Sequence, residues 1–314
     1  MGCVSVEGET LYALTGCTAV GKTALALDWA EANDAEIVSC DSLLFYRGLD
    51  IGAAKPTCEE LGRIPHHLID IRDACVAMDI GDYVKLAIAT IEDIRSRGKR
   101  VLVTGGSGFY LKAFFAPVVD AVVVSSAVRE QVLEIEASAG LEGMVRKLEE
   151  IDPNCRSEVD TENGRRVIRA LERCMETGKS IRKLKTEFAA QSNLLTEAPK
   201  RLVVLTRDRD RLNERIALRV SEMLKSGLID EVARLKAEGF EVNASASGSI
   251  GYRETLAYLR GEYDLDELKE TIATNTRRLA KKQRTWFRTQ LPQGKTIDLN
   301  EVSPGLVDTL FESQ

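Results

Sequence analysis

Histidine is nearly absent: the 314 residues hold only His66 and His67. His-based metal sites and a Ser-His-Asp triad are therefore poorly supplied. Cysteine is sparse, with seven residues at positions 3, 17, 40, 58, 75, 155 and 174. The number is odd and no pair has C-x-x-C spacing, which argues against a disulfide framework and against zinc. A reduced, cytoplasmic setting is the expectation. Glycine and proline number 23 and 7, which excludes collagen-like and mucin-like chains. No apolar run approaches the roughly 20 residues of a membrane helix. The N-terminus has no basic region followed by a long apolar stretch, so no secretory signal and no membrane partner are expected.

What is present is globular. The chain is 44% hydrophobic and 29% charged, too apolar for disorder. Its length suits about two domains of roughly 150 residues. The net charge of −6 argues against a protein that is basic all over. It leaves room for a nucleic-acid binder with positive charge on one face.

Strands and helices alternate through the first 110 residues. Leu11–Gly16, 35–40 (AEIVSC) and 100–104 (RVLVT) read as strands, and 67–71 is a candidate third. A helical pattern runs through Leu25, Leu27 and Trp29, and another spans 82–97. Such alternation predicts an α/β fold, a parallel sheet covered by helices on both faces. Residues 126–178 read as almost wholly helical and charged, apart from an uncertain AVVV at 121–124. Residues 201–206 (RLVVLT) return to the sheet, and helices are expected at 208–225, 228–238, 252–260 and 264–289. The expected organisation is a core of residues 1–119 and 200–314 with a helical insertion domain at 120–199. A monomer is expected.

Residues 16–23 (GCTAVGKT) fit the phosphate-loop (P-loop) pattern G-x-x-x-x-G-K-[ST] between a strand and a helix. Gly16 and Gly21 let successive N–H groups, with Thr18 and Ala19 between them, turn toward an anion at the helix N-terminus. Lys22 adds a mobile positive charge, and the Thr23 hydroxyl suits Mg²⁺. The motif means a bound di- or triphosphate and does not specify a nucleotide. Asp41 closes the next strand, on the sheet edge where ligands of parallel folds gather. It reads equally as a general base beside the phosphate or as a helix cap or an acid that holds a water on Mg²⁺.

The segment DSLLFYRGLDIGAAKP at 41–56, taken with the phosphate loop, resembles the tRNA dimethylallyltransferases, also called tRNA isopentenyltransferases. The likeness continues at 65–73 (PHHLIDIRD), 105–110 (GGSGFY), 165–172 (RRVIRALE), 177–179 (TGK), 251–253 (GYR) and 276–288 (TRRLAKKQRTWFR). The resemblance implies a P-loop NTPase-like fold. It implies transfer of a dimethylallyl group from dimethylallyl diphosphate to N6 of the adenosine 3′-adjacent to a tRNA anticodon, position 37. The phosphate loop (Gly16, Thr18, Ala19, Gly21, Lys22, Thr23) and Arg219 would hold the diphosphate, with Mg²⁺ on Thr23. Without the family pattern, Arg219 would read as a solvated helix arginine. The resemblance makes Asp41 the base, and Lys22 and Arg219 its catalytic companions. It assigns tRNA contacts to Asp41, Ser42, Leu43, Leu44, Ser107, Arg129, Arg165, Arg166, Arg169, Gly251, Tyr252 and Arg253. Further contacts fall on Arg277, Lys281, Lys282, Gln283, Arg284 and Arg288.

Charge placement supports an RNA partner independently. Residues 271–290 hold six basic residues and no acid. At helical spacing Arg277, Lys281, Arg284 and Arg288 form one stripe, opposite Leu265, Leu268, Ile272, Leu279 and Trp286. Such a helix packs one face on the core and offers the other to phosphates. Trp286 is expected in the core. A second run, 163–185, has eight basic residues against Glu172 and Glu176.

The chain departs from the family pattern in three places. Cys17 stands where proline is usual, Val20 where serine is usual, and Gly248-Ser249-Ile250 where Arg-Cys-Val is typical. No C-terminal zinc finger is seen, which suggests a bacterial-type or organellar form. The rival readings are a P-loop small-molecule or nucleotide kinase, with Asp70 at a magnesium-binding strand end, and an adenylate isopentenyltransferase acting on a free nucleotide. A non-catalytic RNA-binding protein is a third, opposed by the intact Lys22, Thr23 and Asp41.

Overall fold

The structure, a computed structural model, describes residues 9–301 and 305–312, so Cys3 lies outside the described residues. In chain order the elements begin with β1 (Leu11–Gly16), α1 (Lys22–Ala32), β2 (Ala35–Ser39), α2 (Cys58–Arg63), β3 (His66–His67), α3 (Ile80–Ser96), β4 (Arg100–Gly105) and α4 (Gly108–Lys112). Then come α5 (Ser126–Ile151), α6 (Gly164–Thr177), α7 (Ile181–Ala189) and β5 (Lys200–Thr206). The chain continues through α8 (Arg209–Lys225), α9 (Leu228–Ala237), α10 (Tyr252–Leu259), α11 (Leu265–Gln290) and β6 (Lys295–Asp298). Single turns of helix at Cys155–Glu158, Leu194–Glu197, Ala244–Ser247 and Leu306–Thr309 fill the connections.

The chain divides into two compact units, 1–115 with 194–314, and 116–193. The joints fall a few residues before those read from the sequence. At the second joint, Leu195 is fully buried in the turn that leads directly into β5.

The first unit is built on one six-stranded sheet of order β3-β2-β4-β1-β5-β6, parallel throughout. Every residue of β1 and β2 is buried. Central parallel strands are covered on both faces, so their sequences run apolar instead of alternating. The α/β expectation is borne out, with two differences in the strands. β3 covers only His66–His67, because Leu68 and Asp70 take positive φ (61° and 56°), which no extended ladder accepts. β6 was not anticipated: KTID is a short edge strand of alternating burial, with little hydrophobic signal.

The second unit is helical. Val132, Met144, Val145, Leu148, Val167, Leu171, Ile181 and Leu184 form its core with Cys155 and Cys174. Residues 121–124 form no strand. α5 carries a break at Gly140 (φ 63°, ψ −162°), a conformation glycine tolerates. Buried Asp152 accepts from the Ile181 and Asn154 N–H groups, at 2.8 and 3.1 Å, and so joins the end of α5 to α7.

Candidate functional site

The sheet delivers its ligand-binding edge at the C-terminal ends of β1, β2 and β4. β1 ends in Gly16 and α1 begins at Lys22, so residues 17–21 form the loop between them. Ala19 takes φ 61° and Gly21 φ 116°, the alternation that turns successive N–H groups inward. Gly16 has no room for a side chain: a Cβ there would lie 2.7 Å from the Leu205 carbonyl oxygen. Two arginines brace the loop from outside. Arg215 Nε donates to the Ala19 carbonyl at 2.8 Å, and Arg207 Nε to that of Val20 at 3.1 Å.

Lys22 Nζ donates to the Gly16 and Cys17 carbonyls, at 2.7 and 3.1 Å. Desolvation pushes its ammonium pKa below the ordinary lysine value, and Asp41 is the main charge opposing that shift. Arg219, on α8, is pushed down by the same cause and again opposed by Asp41. Two cations are thus crowded into a poorly solvated site, with Asp41 and Glu222 as the carboxylates that act on them and Arg215 adding a further positive charge. That imbalance suits a polyanion.

An open cavity of about 910 Å³ spreads from this loop. Thr18, Lys22, Thr23, Asp41, Ser42, Leu43, Leu44, Ser107 and Arg219 all line it. Asp41 Oδ1 accepts from the Leu43 N–H at 3.2 Å, which orients the carboxylate. A Cβ placed on Gly106 would lie 3.5 Å from Asp41 Oδ2 and 3.8 Å from Lys22 Nζ. Carboxylate and ammonium therefore flank the same small volume above the turn after β4.

Gln283 is also there. Its Oε1 accepts from the Thr18 N–H at 2.9 Å, and its Nε2 donates to the Gly106 carbonyl at 2.8 Å. It ties α11 to both the phosphate loop and the β4 turn. Lys282 and Gly251 line the cavity too. Lys281, Lys282, Arg284 and Arg288 are exposed on α11 and make no ion pair among the described residues. Arg277 is paired with Glu270. Arg253 is exposed and paired with the buried Glu254. Arg129, Arg165, Arg166 and Arg169 belong to the second unit and are exposed, with Arg166 paired to Asp160.

Two expectations need correction. Tyr252, expected to touch RNA, is fully buried and has no surface to offer. Trp286, expected in the core, lines the cavity and packs on Gly108, where a Cβ would lie 2.4 Å from its ring. The buried seam of α11 runs through Leu268, Ile272, Ala273, Ala280 and Phe287, whereas Leu265 is half exposed. The seam keeps Leu268 and Ile272 from the expected stripe but passes through Ala280 and Phe287 where Leu279 and Trp286 were expected.

Phe109 was missed by sequence reasoning. It is 50% exposed at the cavity wall, directly after the Gly-rich turn. An exposed aromatic directly after a Gly-rich turn is the available signal. Oxygen donors for a metal are present as the Thr23 hydroxyl and the Asp41 carboxylate, both at the cavity. Among the described residues, no three His, Cys, Asp or Glu side chains cluster into a metal cage. That pattern fits Mg²⁺ held jointly by one or two protein oxygens and substrate phosphates. No described helix is long and apolar enough to cross a membrane.

Comparison with known proteins adds the following. The family model described as IPP transferase matches residues 44–290. The tRNA dimethylallyltransferase of Opitutus terrae is 51% identical over 298 residues, which is 95% of this chain and 96% of that one. That of Thermotoga petrophila is 39% identical over 274 residues, 87% of each chain. The tRNA isopentenylpyrophosphate transferase of Bacillus halodurans superposes with a TM-score of 0.70 at 34% identity, covering 96% of this chain and 94% of that one. A eukaryotic dimethylallyltransferase acting on tRNA superposes with a TM-score of 0.82 at 25% identity, covering 92% and 73%.

Proposed function

We propose, from the premise that this chain belongs to the IPP transferase family, that its cavity moves a dimethylallyl group from dimethylallyl diphosphate to N6 of the adenosine 3′-adjacent to a tRNA anticodon. The products are N6-(dimethylallyl)adenosine and diphosphate. One observation carries the chemistry: Asp41 and Lys22 flank a single volume beside the phosphate loop.

The adenine amine is a weak nucleophile, because its lone pair is delocalised into the ring. As N6 bonds to the allylic carbon, it must lose a proton, and Asp41 is the group positioned to accept it. The carbon–oxygen bond to the diphosphate breaks in the same displacement. Lys22, Arg219 and the N–H groups of Ala19 and residues 21–23 neutralise the charge that develops on the departing oxygens, the Thr18 N–H being held by Gln283. Thr23, with the diphosphate, would hold Mg²⁺, which when bound adds further charge neutralisation. The target base is normally stacked and has to be turned out to enter the cavity. Lys281, Lys282, Arg284 and Arg288 supply an exposed basic face for backbone phosphates.

The test is an assay of purified protein with Mg²⁺ and labelled dimethylallyl diphosphate. An anticodon stem-loop and free AMP are offered separately. Label in the stem-loop alone is the expected result. Label in AMP would make the protein a free-nucleotide prenyltransferase. No transfer, with ATP turnover on a small-molecule panel, would make it a kinase.

A further inference from the structure

The connection from β2 to α2 spans residues 40–57, longer than the roughly 12–15 residues that unstructured loops usually reach. Its second half supplies Gly52, Ala53, Ala54, Lys55 and Pro56 to the cavity wall. The backbone there is held by two buried side chains from distant helices. Glu231, on α9, accepts from the N–H groups of Asp50 (3.0 Å), Ile51 (2.7 Å) and Gly52 (3.1 Å). Tyr252, the first residue of α10, accepts from the Ala53 N–H at 3.1 Å and donates its hydroxyl to Glu231 at 2.8 Å. Four successive amides are therefore tied to one carboxylate–phenol pair. Burial, and then the Glu231 charge, push the phenol pKa far up, so it remains a donor at any working pH.

The fit is close. A Cβ on Gly52 would lie 2.5 Å from Tyr252 Cζ, so the ring presses directly on the strand of amides. Tyr252 also follows Gly251, which lines the cavity with Ser249 and Ile250. The pair thus joins two wall segments, 52–56 and 249–251, that are about 200 residues apart. Neither residue hydrogen-bonds to the phosphate loop. Residues 52–54 carry at most a methyl group, so this wall leaves room for a flat ligand to approach the backbone.

We propose that Glu231 and Tyr252 are positioning residues that set the shape of the acceptor wall and so govern affinity for the tRNA anticodon arm, leaving the donor side unaffected. This rests on the prenyl-transfer reading above. The Glu231 carboxylate accepts all four of these bonds and donates none. Glutamine in its place would turn an amide N–H toward a backbone N–H.

The experiment measures stem-loop KM, donor KM, kcat and melting temperature for wild type, Glu231→Gln and Tyr252→Phe. Wild-type transfer to the stem-loop comes first; if it fails, the prenyl-transfer reading falls, whatever the variants do. Given that activity, Tyr252→Phe raises the stem-loop KM about tenfold, as expected for two lost hydrogen bonds. Glu231→Gln raises it on the order of 10- to 100-fold. Donor KM and kcat stay within about twofold of wild type in both. If Glu231→Gln does not fold, Tyr252→Phe decides alone. An unchanged stem-loop KM in Tyr252→Phe, or equal rises in the stem-loop and donor KM, would overturn the proposal.

Discussion

The two sides of the cavity that the proposed reaction makes donor and acceptor are built by opposite means. The donor side is one contiguous stretch, residues 16–23, whose groups are mostly backbone, with Arg219 added from α8. The acceptor side is gathered from segments near 42–44, 52–56, 107–109, 249–251 and 282–286. On the proposal above, its shape depends on the buried Glu231 and Tyr252. Binding an anion needs only N–H groups, a helix terminus and a cation or two, all of which local sequence can supply. Fitting a nucleobase and its strand needs surfaces held at fixed distances, and only tertiary packing supplies those.

Substitutions can break or sharpen this contrast. The largest effect is expected from Asp41→Asn, which keeps the side-chain shape and removes the proton acceptor. Single-turnover assays should show the chemical step slowed by ~10²–10⁴-fold, with donor affinity retained. A near-normal rate would remove Asp41 from the base role. Lys22→Met comes next and should lower kcat/KM for the donor by ~10²–10³-fold, the scale of losing one charge-stabilising group. Lys22 also gives the donor side a pH signature. Its pKa lies below the ordinary lysine value, so it loses its proton at lower pH than a free lysine would. Donor KM should therefore climb as pH rises toward the alkaline range, and Lys22→Arg should flatten that climb. A pH-independent donor KM in wild type would contradict it.

The acceptor side should respond differently to salt. Lys281→Glu with Arg284→Glu should weaken stem-loop binding by roughly 10–100-fold at low salt and by less at high salt, with a shallower salt slope. Titration at several ionic strengths checks this, and donor binding should not move. The smallest effect is expected at the seam between the two sides. Gln283→Ala loses its bonds to Thr18 and Gly106 and should cost about tenfold in kcat/KM. Equal losses against donor and stem-loop would mark it as shared; a loss confined to one would assign it to that side.

Sequence legibility follows the same contrast. The phosphate loop was readable because its glycines, lysine and threonine are neighbours with a known mechanical purpose. The central strands were readable because full burial leaves uninterrupted apolar runs. Glu231 left no signal, since LIDEVARL resembles any amphipathic helix and the amides it binds are nearly 180 residues away. Tyr252 was noticed for its motif and given an exposed role; only the packing against Gly52 reveals it as internal. Trp286 misled because helical spacing alone does not decide whether it or the adjacent Phe287 turns into the core.

The strand order also bears on how the chain reaches this state. β1 lies between β4 and β5, and its register with β5 pairs Leu11 with Lys200. During synthesis, β1 to β4 emerge together, but the second edge of β1 has no partner until the entire helical unit has been made. LYALTG is buried along its whole length in the finished sheet. Until residue 206 clears the ribosome, one side of that apolar strand stays open to pairing with other chains. A nascent chain arrested between residues 116 and 199 should therefore depend on chaperones. The helical unit has its own core and can close while the sheet waits.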